Sequence, residues 1–347
     1  MNKRNALMLF TVIAATAILI ITAVTLIFAR AKEKNELLSG GAQSEENEIG
    51  VSAVPKKAVT LLIAGKDASS SLTDALMLVR ADPNDNSVTV LQIPRDTYAE
   101  YTDSSYKKIN GACSSLGSAE KLCDFLSSSF GINVDGYAIS DMSVLASAVD
   151  ALGGVEIELD EPIRYDDGEG FSLILDKGRQ TLDGETALRF VRYRSGYVRG
   201  DIGRMDAQKL FLASLFKKIS ETDSFTLATV IGRLLPRLDT NISVDDAIRL
   251  AELGMSLSAD SIRFITLAGD EVTATQSGAS YYSVSAPAAE EIFVKYFGAQ
   301  VGSFDKEGLF RNERYGEFCN IYDNFAEYSV HTASSVCENG IRIDKTY

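Results

Sequence analysis

From Ala6 to Ala29 the chain carries no charged side chain and few polar ones. Wound as a helix, a run of that length crosses the roughly 30 Å hydrocarbon core of a bilayer. It is longer than the apolar core of a signal peptide, and no small-residue cleavage site stands out. The sequence therefore predicts an uncleaved membrane anchor over 6–29, behind a short head at 1–5. Lys3 and Arg4 precede it and Arg30, Lys32 and Lys34 follow it, so flanking charge alone does not set its orientation. Such an anchor commits the rest of the chain to one side of the membrane. Residues 30–57 are polar and rich in Glu, Asn, Ser and Gly, which reads as a flexible tether. A folded domain is expected over 58–298. The polar, aromatic extension at 299–347 is expected to be weakly ordered except where a disulfide pins it.

The chain has 347 residues, enough for one large domain or two small ones, and a net charge of −14. That acidity disfavours nucleic acid and anionic membrane surfaces as partners. The single histidine, His331, lies in a polar stretch and is expected to be an exposed bystander, which sets aside His-based triads and zinc proteases. Cys113, Cys123, Cys319 and Cys337 form no C-x-x-C pair, which argues against zinc ribbons and thioredoxin-like sites. Two readings stay open for them. They form disulfides Cys113–Cys123 and Cys319–Cys337 if the domain lies outside the cell, or they are four free thiols.

Short apolar runs alternate with helical patterns along the domain. Val59–Ala64, Ala75–Val79 and Val88–Ile93 read as strands, the second and third joined through the turn residues Asp82–Asn86. Asp74 stands just before the second strand, and the third delivers Pro94-Arg95-Asp96-Thr97 at its end. Helices are expected over 118–130 and 142–152, the latter closed by Gly153-Gly154, with strands at 136–139 and 155–159. Asp160 to Lys177 reads as an acidic, exposed loop. Further helices are expected over 226–235, stopped by Pro236, over 246–257 after the capping box at Ser243, and over 288–297, with a strand at 261–267. This alternation argues an α/β architecture, one sheet covered on both faces.

The stretch RYRSGYVRGDIGRMDAQ, Arg192 to Gln208, concentrates cations in an otherwise acidic chain. Read as extended, it places Arg192 and Arg194 on the same side. Asp201 then reads as the N-cap of a helix to about Ile219, on which Arg204 and Gln208 share a face. Guanidinium forks beside a helix N-terminus suit the oxygens of a doubly charged phosphate. The same pattern also fits surface arginines paired with nearby carboxylates. Leu210, Phe211, Leu215 and Ile219 on that helix line a lipid-tail pocket or form core.

Taken with Asp74, Ile93-Pro-Arg-Asp96, Lys108-Ile-Asn110, Leu152-Gly-Gly-Val155, Leu182-Asp-Gly-Glu185 and Asp201-Ile-Gly-Arg204, in this order and spacing, the chain resembles the LytR-CpsA-Psr family from about Val59 to Phe297. The resemblance implies a three-layer α/β/α sandwich with a mixed central sheet. It also implies an N-terminal helix anchoring the domain outside the cytoplasmic membrane, with residues 1–5 cytoplasmic. Its members move a glycopolymer, such as a teichoic acid, from a polyprenyl-diphosphate carrier onto a peptidoglycan hydroxyl, leaving a phosphodiester link. By this resemblance Asp67 and Asp74 match the two aspartates of magnesium binding and catalysis. Arg95 matches a diphosphate-binding arginine with a place in catalysis, Arg192 and Arg194 the paired arginines on the diphosphate, and Arg204 and Gln208 the arginine and glutamine that follow. The chemistry agrees: hydroxyl attack on a phosphate needs its charge neutralised, which arginines and one divalent cation do, and a carboxylate serves as proton acceptor.

One departure stands out. The loop from Asp67 to Asp74 is short and lacks the arginines usual there in the family, with Leu72 where one commonly precedes the second aspartate. That leaves a second reading, a member that binds polyprenyl diphosphate as a scaffold or regulator without transfer. A third, a plain polysaccharide-binding module, predicts exposed aromatic platforms, and the chain has no tryptophan.

Overall fold

The computed structural model describes residues 57–66, 72–102, 105–168, 170–234, 237–242, 257–306 and 309–339. The expected anchor at 6–29, Asp67 and the capping box at Ser243 lie outside the described residues. Among the described residues no helix is long and apolar enough to cross a membrane.

Three strands begin the domain: β1 (Val59–Lys66), β2 (Thr73–Asp82) and β3 (Ser87–Ile93), each antiparallel to the next. The turn between β2 and β3 places Asn86 at φ 46°, a left-handed conformation that asparagine tolerates. A 3-10 turn at Ile109–Gly111 leads into α1 (Ala112–Leu116) and α2 (Ala119–Phe130). Ser118 caps α2 by accepting the Lys121 N–H, and Gly131 closes it in the left-handed region. Then follow β4 (Gly136–Asp141), α3 (Met142–Ala151), β5 (Val155–Leu159), β6 (Ile163–Asp166), β7 (Ser172–Leu175) and β8 (Gly178–Leu182). The helices α4 (Gly184–Arg192), α5 (Gly200–Ser220) and α6 (Ser224–Leu234) come next, then β9 (Asp239–Thr240), β10 (Ile262–Thr266), β11 (Gly269–Thr273) and β12 (Ser280–Val284). The chain ends with α7 (Ala286–Phe297), α8 (Gly316–Asp323), β13 (Val330–Thr332) and α9 (Ala333–Asn339).

Seven strands make one mixed sheet in the order β13-β10-β3-β2-β1-β4-β9, with β1–β4 and β3–β10 parallel. Period-two alternation splits each central strand between two cores. Leu61 and Ile63 face a core shared with α3, α4, α5 and α6, whereas Leu62 and Ala64 face one shared with α1, α2 and α7. Because both faces are covered, β1 reads as a continuous apolar run, and the fold is the expected α/β/α sandwich. In the second core the Phe130 ring stacks between Phe293 and Phe310, with centroids 4.1 and 5.1 Å away. Truncating such a ring costs about 3–5 kcal/mol.

Several expectations need correction. Arg192 and Arg194 do not lie on a strand end: Arg192 is the last residue of α4, and Tyr193 caps it. Asp201 is not the N-cap of α5 but stands in its first turn, after Arg199. Asp74 lies inside β2, which starts at Thr73. The segment 160–177 is no exposed loop, since β6 and β7 form a hairpin that buries Ile163, Phe171, Leu173 and Leu175. Its acidic turn hides an inward-facing alternation. The described part of the tail beyond 298 is ordered: β13 extends the central sheet beside β10, α9 packs on α5, and Phe304, Phe310, Phe318 and Tyr322 are buried. His331 is half-buried on β13 rather than exposed. All four cysteines are free, so of the two open readings the disulfides are not formed. Leu210, Phe211, Leu215 and Ile219 are core.

Candidate active site

Charged side chains converge where β1 and β3 end and β2 begins. Pro94 has no N–H to continue the ladder after β3, and the chain turns there: the Thr97 N–H and hydroxyl both donate to the Pro94 carbonyl, at 3.0 and 2.6 Å. This turn presents Arg95 and Asp96. The Asn110 N–H donates to the Arg95 carbonyl at 3.2 Å, and the Thr73 hydroxyl donates to the Asn110 carbonyl at 3.1 Å, locking the turn against β2. On the other side, α5 starts at Gly200, whose φ of +51° disfavours a side chain. Gly203 allows the helix to pass Tyr197, since a Cβ there would lie 2.6 Å from the tyrosine Cβ. The first turn of α5 thus brings Asp201 and Arg204 against the β3 turn.

Arg95 is the junction. Its Nη1 donates to Asp74 Oδ1 at 3.2 Å, and its Nε lies 3.6 Å from both Asp96 Oδ2 and Asp201 Oδ1. Asp201 Oδ2 accepts from Arg204 Nη2 at 2.8 Å, while Arg194 Nε stands 4.0 Å from Asp201 Oδ1. Lys108 Nζ donates to Asp96 Oδ1 at 2.7 Å. Four cations (Arg95, Lys108, Arg194, Arg204) therefore meet three carboxylates (Asp74, Asp96, Asp201). Arg204 is only 1% exposed, and burial pushes its pKa down to about 10, with Asp201 opposing the shift. It stays charged at neutral pH. A buried guanidinium costs several kcal/mol of desolvation unless partners repay it. Here the repayment comes from Asp201, which the α5 N-terminal dipole also favours.

The Arg95–Asp96, Arg95–Asp201 and Arg194–Asp201 separations of 3.6, 3.6 and 4.0 Å exceed hydrogen-bond length, so these are ionic contacts rather than hydrogen bonds. An anion with several oxygens completes such forks. Arg194 is half-exposed at the mouth, whereas Arg204 lies at the floor.

The structure brings together Asp74, Arg95, Arg194 and Arg204 of the expected residues. Gln208 lies one turn below Arg204 and donates to the Val191 carbonyl at 3.2 Å, tying α5 to α4. Arg192 takes a different direction, its guanidinium 5.9 Å from the Phe171 ring centroid. Asp67 lies outside the described residues. Among the described residues no group of three or more His, Cys, Asp or Glu converges as a metal cage. The buried Asp74 carboxylate still fits a hard cation of the magnesium kind, which uses one or two carboxylates together with substrate phosphates. Asp201, Asp96, Lys108 and Glu271 were not singled out as site residues by sequence. Asp96, Lys108 and Asp201 did lie within the quoted motifs. Glu271, on β11, carried no signal.

Comparison with known proteins places this mixed-sheet α/β/α sandwich in a family. The chain belongs to it: the model of the LytR_cpsA_psr family matches residues 21–297. Among named relatives, the chain is 28% identical over 252 residues to the polyisoprenyl-teichoic acid–peptidoglycan teichoic acid transferase TagU of Oceanobacillus iheyensis, covering 69% of this chain and 75% of that one. It is 26% identical over 276 residues to the transferase TagV of Bacillus subtilis, covering 76% and 69%. With the cell wall biosynthesis protein LcpA of Corynebacterium glutamicum the identity is 28%, over 69% of this chain and 48% of the relative. The fold superposes on the crystal structure of B. subtilis TagV with a TM-score of 0.60 at 23% identity, covering 70% and 96% of the two chains. TagT bound to LIIa-WTA gives a TM-score of 0.56 at 26% identity, covering 73% and 92%.

Proposed function

We propose that this chain is a membrane-anchored phosphotransferase that moves a glycopolymer from a polyprenyl-diphosphate carrier onto a peptidoglycan hydroxyl, leaving a phosphodiester. The observation that carries the reading is the convergence of Arg95, Arg194 and Arg204 on Asp201 beside the buried Asp74. The relatives named as teichoic acid transferases support it. In this reading Arg204 and Arg95 take the carrier diphosphate from the floor of the site and Arg194 from the mouth. Arg192 and Gln208 support that end of the site, Gln208 by fixing α5 to α4. Asp74, together with Asp67, would hold a magnesium ion, which when bound supplies further neutralisation of the phosphate charge. The arginines stabilise the charge that builds on the leaving lipid phosphate. The 6–29 anchor places the domain outside the cytoplasmic membrane, where carrier and peptidoglycan meet.

The test uses the full chain in liposomes with a short-chain polyprenyl-diphosphate sugar, peptidoglycan fragments and magnesium, followed by mass spectrometry. A sugar-phosphate adduct on the fragments, lost in Asp74→Ala and in Arg95→Ala, is the expected result. Carrier binding with no adduct under any condition supports the scaffold reading that the short, arginine-free 67–74 loop suggests.

A further inference from the structure

Transfer leaves one proton to be placed. As the acceptor oxygen bonds to phosphorus, the bond from phosphorus to the lipid-phosphate oxygen breaks, and the hydroxyl proton must pass to a base. The chain's histidine is remote, on β13 at the edge of the sheet. The carboxylates inside the cluster are committed to cations: Asp74 to Arg95, Asp96 to Lys108 and Asp201 to Arg204.

Glu271 differs from all three. It lies on β11 directly opposite Tyr282 on β12, and opposed residues of an antiparallel pair project from the same face. The Tyr282 side chain packs on Ile202 and Met205 of α5, and the Tyr282 N–H donates to the Asp96 carbonyl at 2.8 Å. Glu271 therefore leaves the hairpin on the side of the first turn of α5, next to Asp96, and its charge interacts with Asp201, Arg194 and Asp96. Among the described residues no hydrogen bond or ion pair ties its carboxylate, and the residue is open to solvent.

We propose that Glu271 accepts the proton of the attacking acceptor hydroxyl, so that the β11–β12 hairpin forms the acceptor side of the site. The proposal rests on the transfer reading above. The hydroxyl oxygen bonds to phosphorus, polyprenyl phosphate departs with the electrons of the broken bond, and the proton passes to Glu271 and on to water. Burial, then the negative charge of Asp201, pushes the Glu271 carboxyl above its ordinary range, with Arg194 opposing and Asp96 and Asp270 adding to the rise. The other ionisable groups around the hairpin include Tyr282 on the same face with Arg199 beside it, Tyr281 on the opposite face with Lys108, Tyr98 and Tyr315 against it, and Glu317 of α8, which accepts the Thr275 N–H beyond the far end of β11.

The experiment uses the full chain in liposomes, with Glu271→Gln and Glu271→Asp beside the unaltered protein. Affinity for geranylgeranyl diphosphate is measured first, then single-turnover transfer to peptidoglycan fragments from about pH 4 to 9. Glu271→Gln should keep carrier affinity and lose transfer by about 10²–10⁴-fold, with Glu271→Asp recovering part of it. The unaltered protein should lose transfer at acid pH along a limb lying above the ordinary glutamate value, and that limb should vanish in Glu271→Gln. A Glu271→Gln protein that transfers at the unaltered rate with the same limb overturns the proposal. An unaltered chain that binds carrier and transfers nothing overturns the transfer reading and this inference with it.

Discussion

Helix α5 carries two acid–base pairs at the same spacing, Asp201 with Arg204 and Asp206 with Lys209, at 2.8 and 2.9 Å. Both cations are buried, at 2% and 5% side-chain exposure. Their surroundings set them apart. Asp206 also meets Arg199 at 3.7 Å, and among the described residues its charge also acts on Tyr197 and His331. Asp201 also meets Arg95 and Arg194, and through Arg95 is joined to Asp74. One pair stays within the helix, its charges acting on His331 of the C-terminal strand, and the other is the floor of the proposed anion site. The sequence motif of a carboxylate three residues before a cation is the same in both. In the proposed reading such a pair becomes an anion site when other chain segments add arginines to it.

The comparison can be broken most severely by deleting each cation. Arg204→Ala should weaken binding of geranylgeranyl diphosphate by about 10²-fold, whereas Lys209→Ala should leave it within about twofold. Both variants should lose about 3 kcal/mol of stability in denaturant unfolding, because each strands a buried carboxylate with more distant partners. Equal losses of affinity would erase the distinction. A smaller effect is expected at the mouth: Arg194→Ala should cost about tenfold in carrier affinity and no more than about 0.5 kcal/mol in unfolding, since the side chain is half-exposed. Titration of Arg194→Ala and the unaltered chain by calorimetry and by denaturant checks both numbers.

The smallest effect concerns the structural pair. Burial, with Lys209 adding to it and Asp206 opposing, lowers the His331 pKa below its usual 6.5. The folded protein then binds this proton less readily than the unfolded chain, so stability should fall as pH drops through about 6.5 and level off below the lowered folded value. In His331→Gln that part of the pH dependence should flatten, while carrier binding stays unchanged. Unfolding midpoints between about pH 5 and 8 read it directly.

Much of the scaffold was legible because the signals were local. Apolar runs set β1, β2 and β3, the turn residues Asp82–Asn86 joined the last two, and Gly153-Gly154 closed α3. The roles of Arg192 and Arg194 were misread for a physical reason. Two residues apart, they share a side in a strand, but α4 ends between them at Tyr193, sending Arg192 to Phe171 and Arg194 to Asp201. Asp201 resembled a cap because aspartate before a helix usually is one, and its three arginine partners come from different segments. Glu271 was silent because a glutamate in a hairpin reads as solvated surface. The buried aromatics of the tail, Phe304, Phe310 and Phe318, show no period because loops and a short helix supply them.

The most direct test of the arginine cluster as a diphosphate site is calorimetric titration of the full chain with geranylgeranyl diphosphate, comparing Arg95→Ala with Arg199→Ala. Arg95 joins Asp74, Asp96 and Asp201, while Arg199 pairs with Asp206 on the structural side of the same helix. Loss of affinity by about 10²-fold in Arg95→Ala, with Arg199→Ala within about twofold of the unaltered chain, is the predicted result. Equal affinity in all three proteins, or equal loss in both variants, would contradict it.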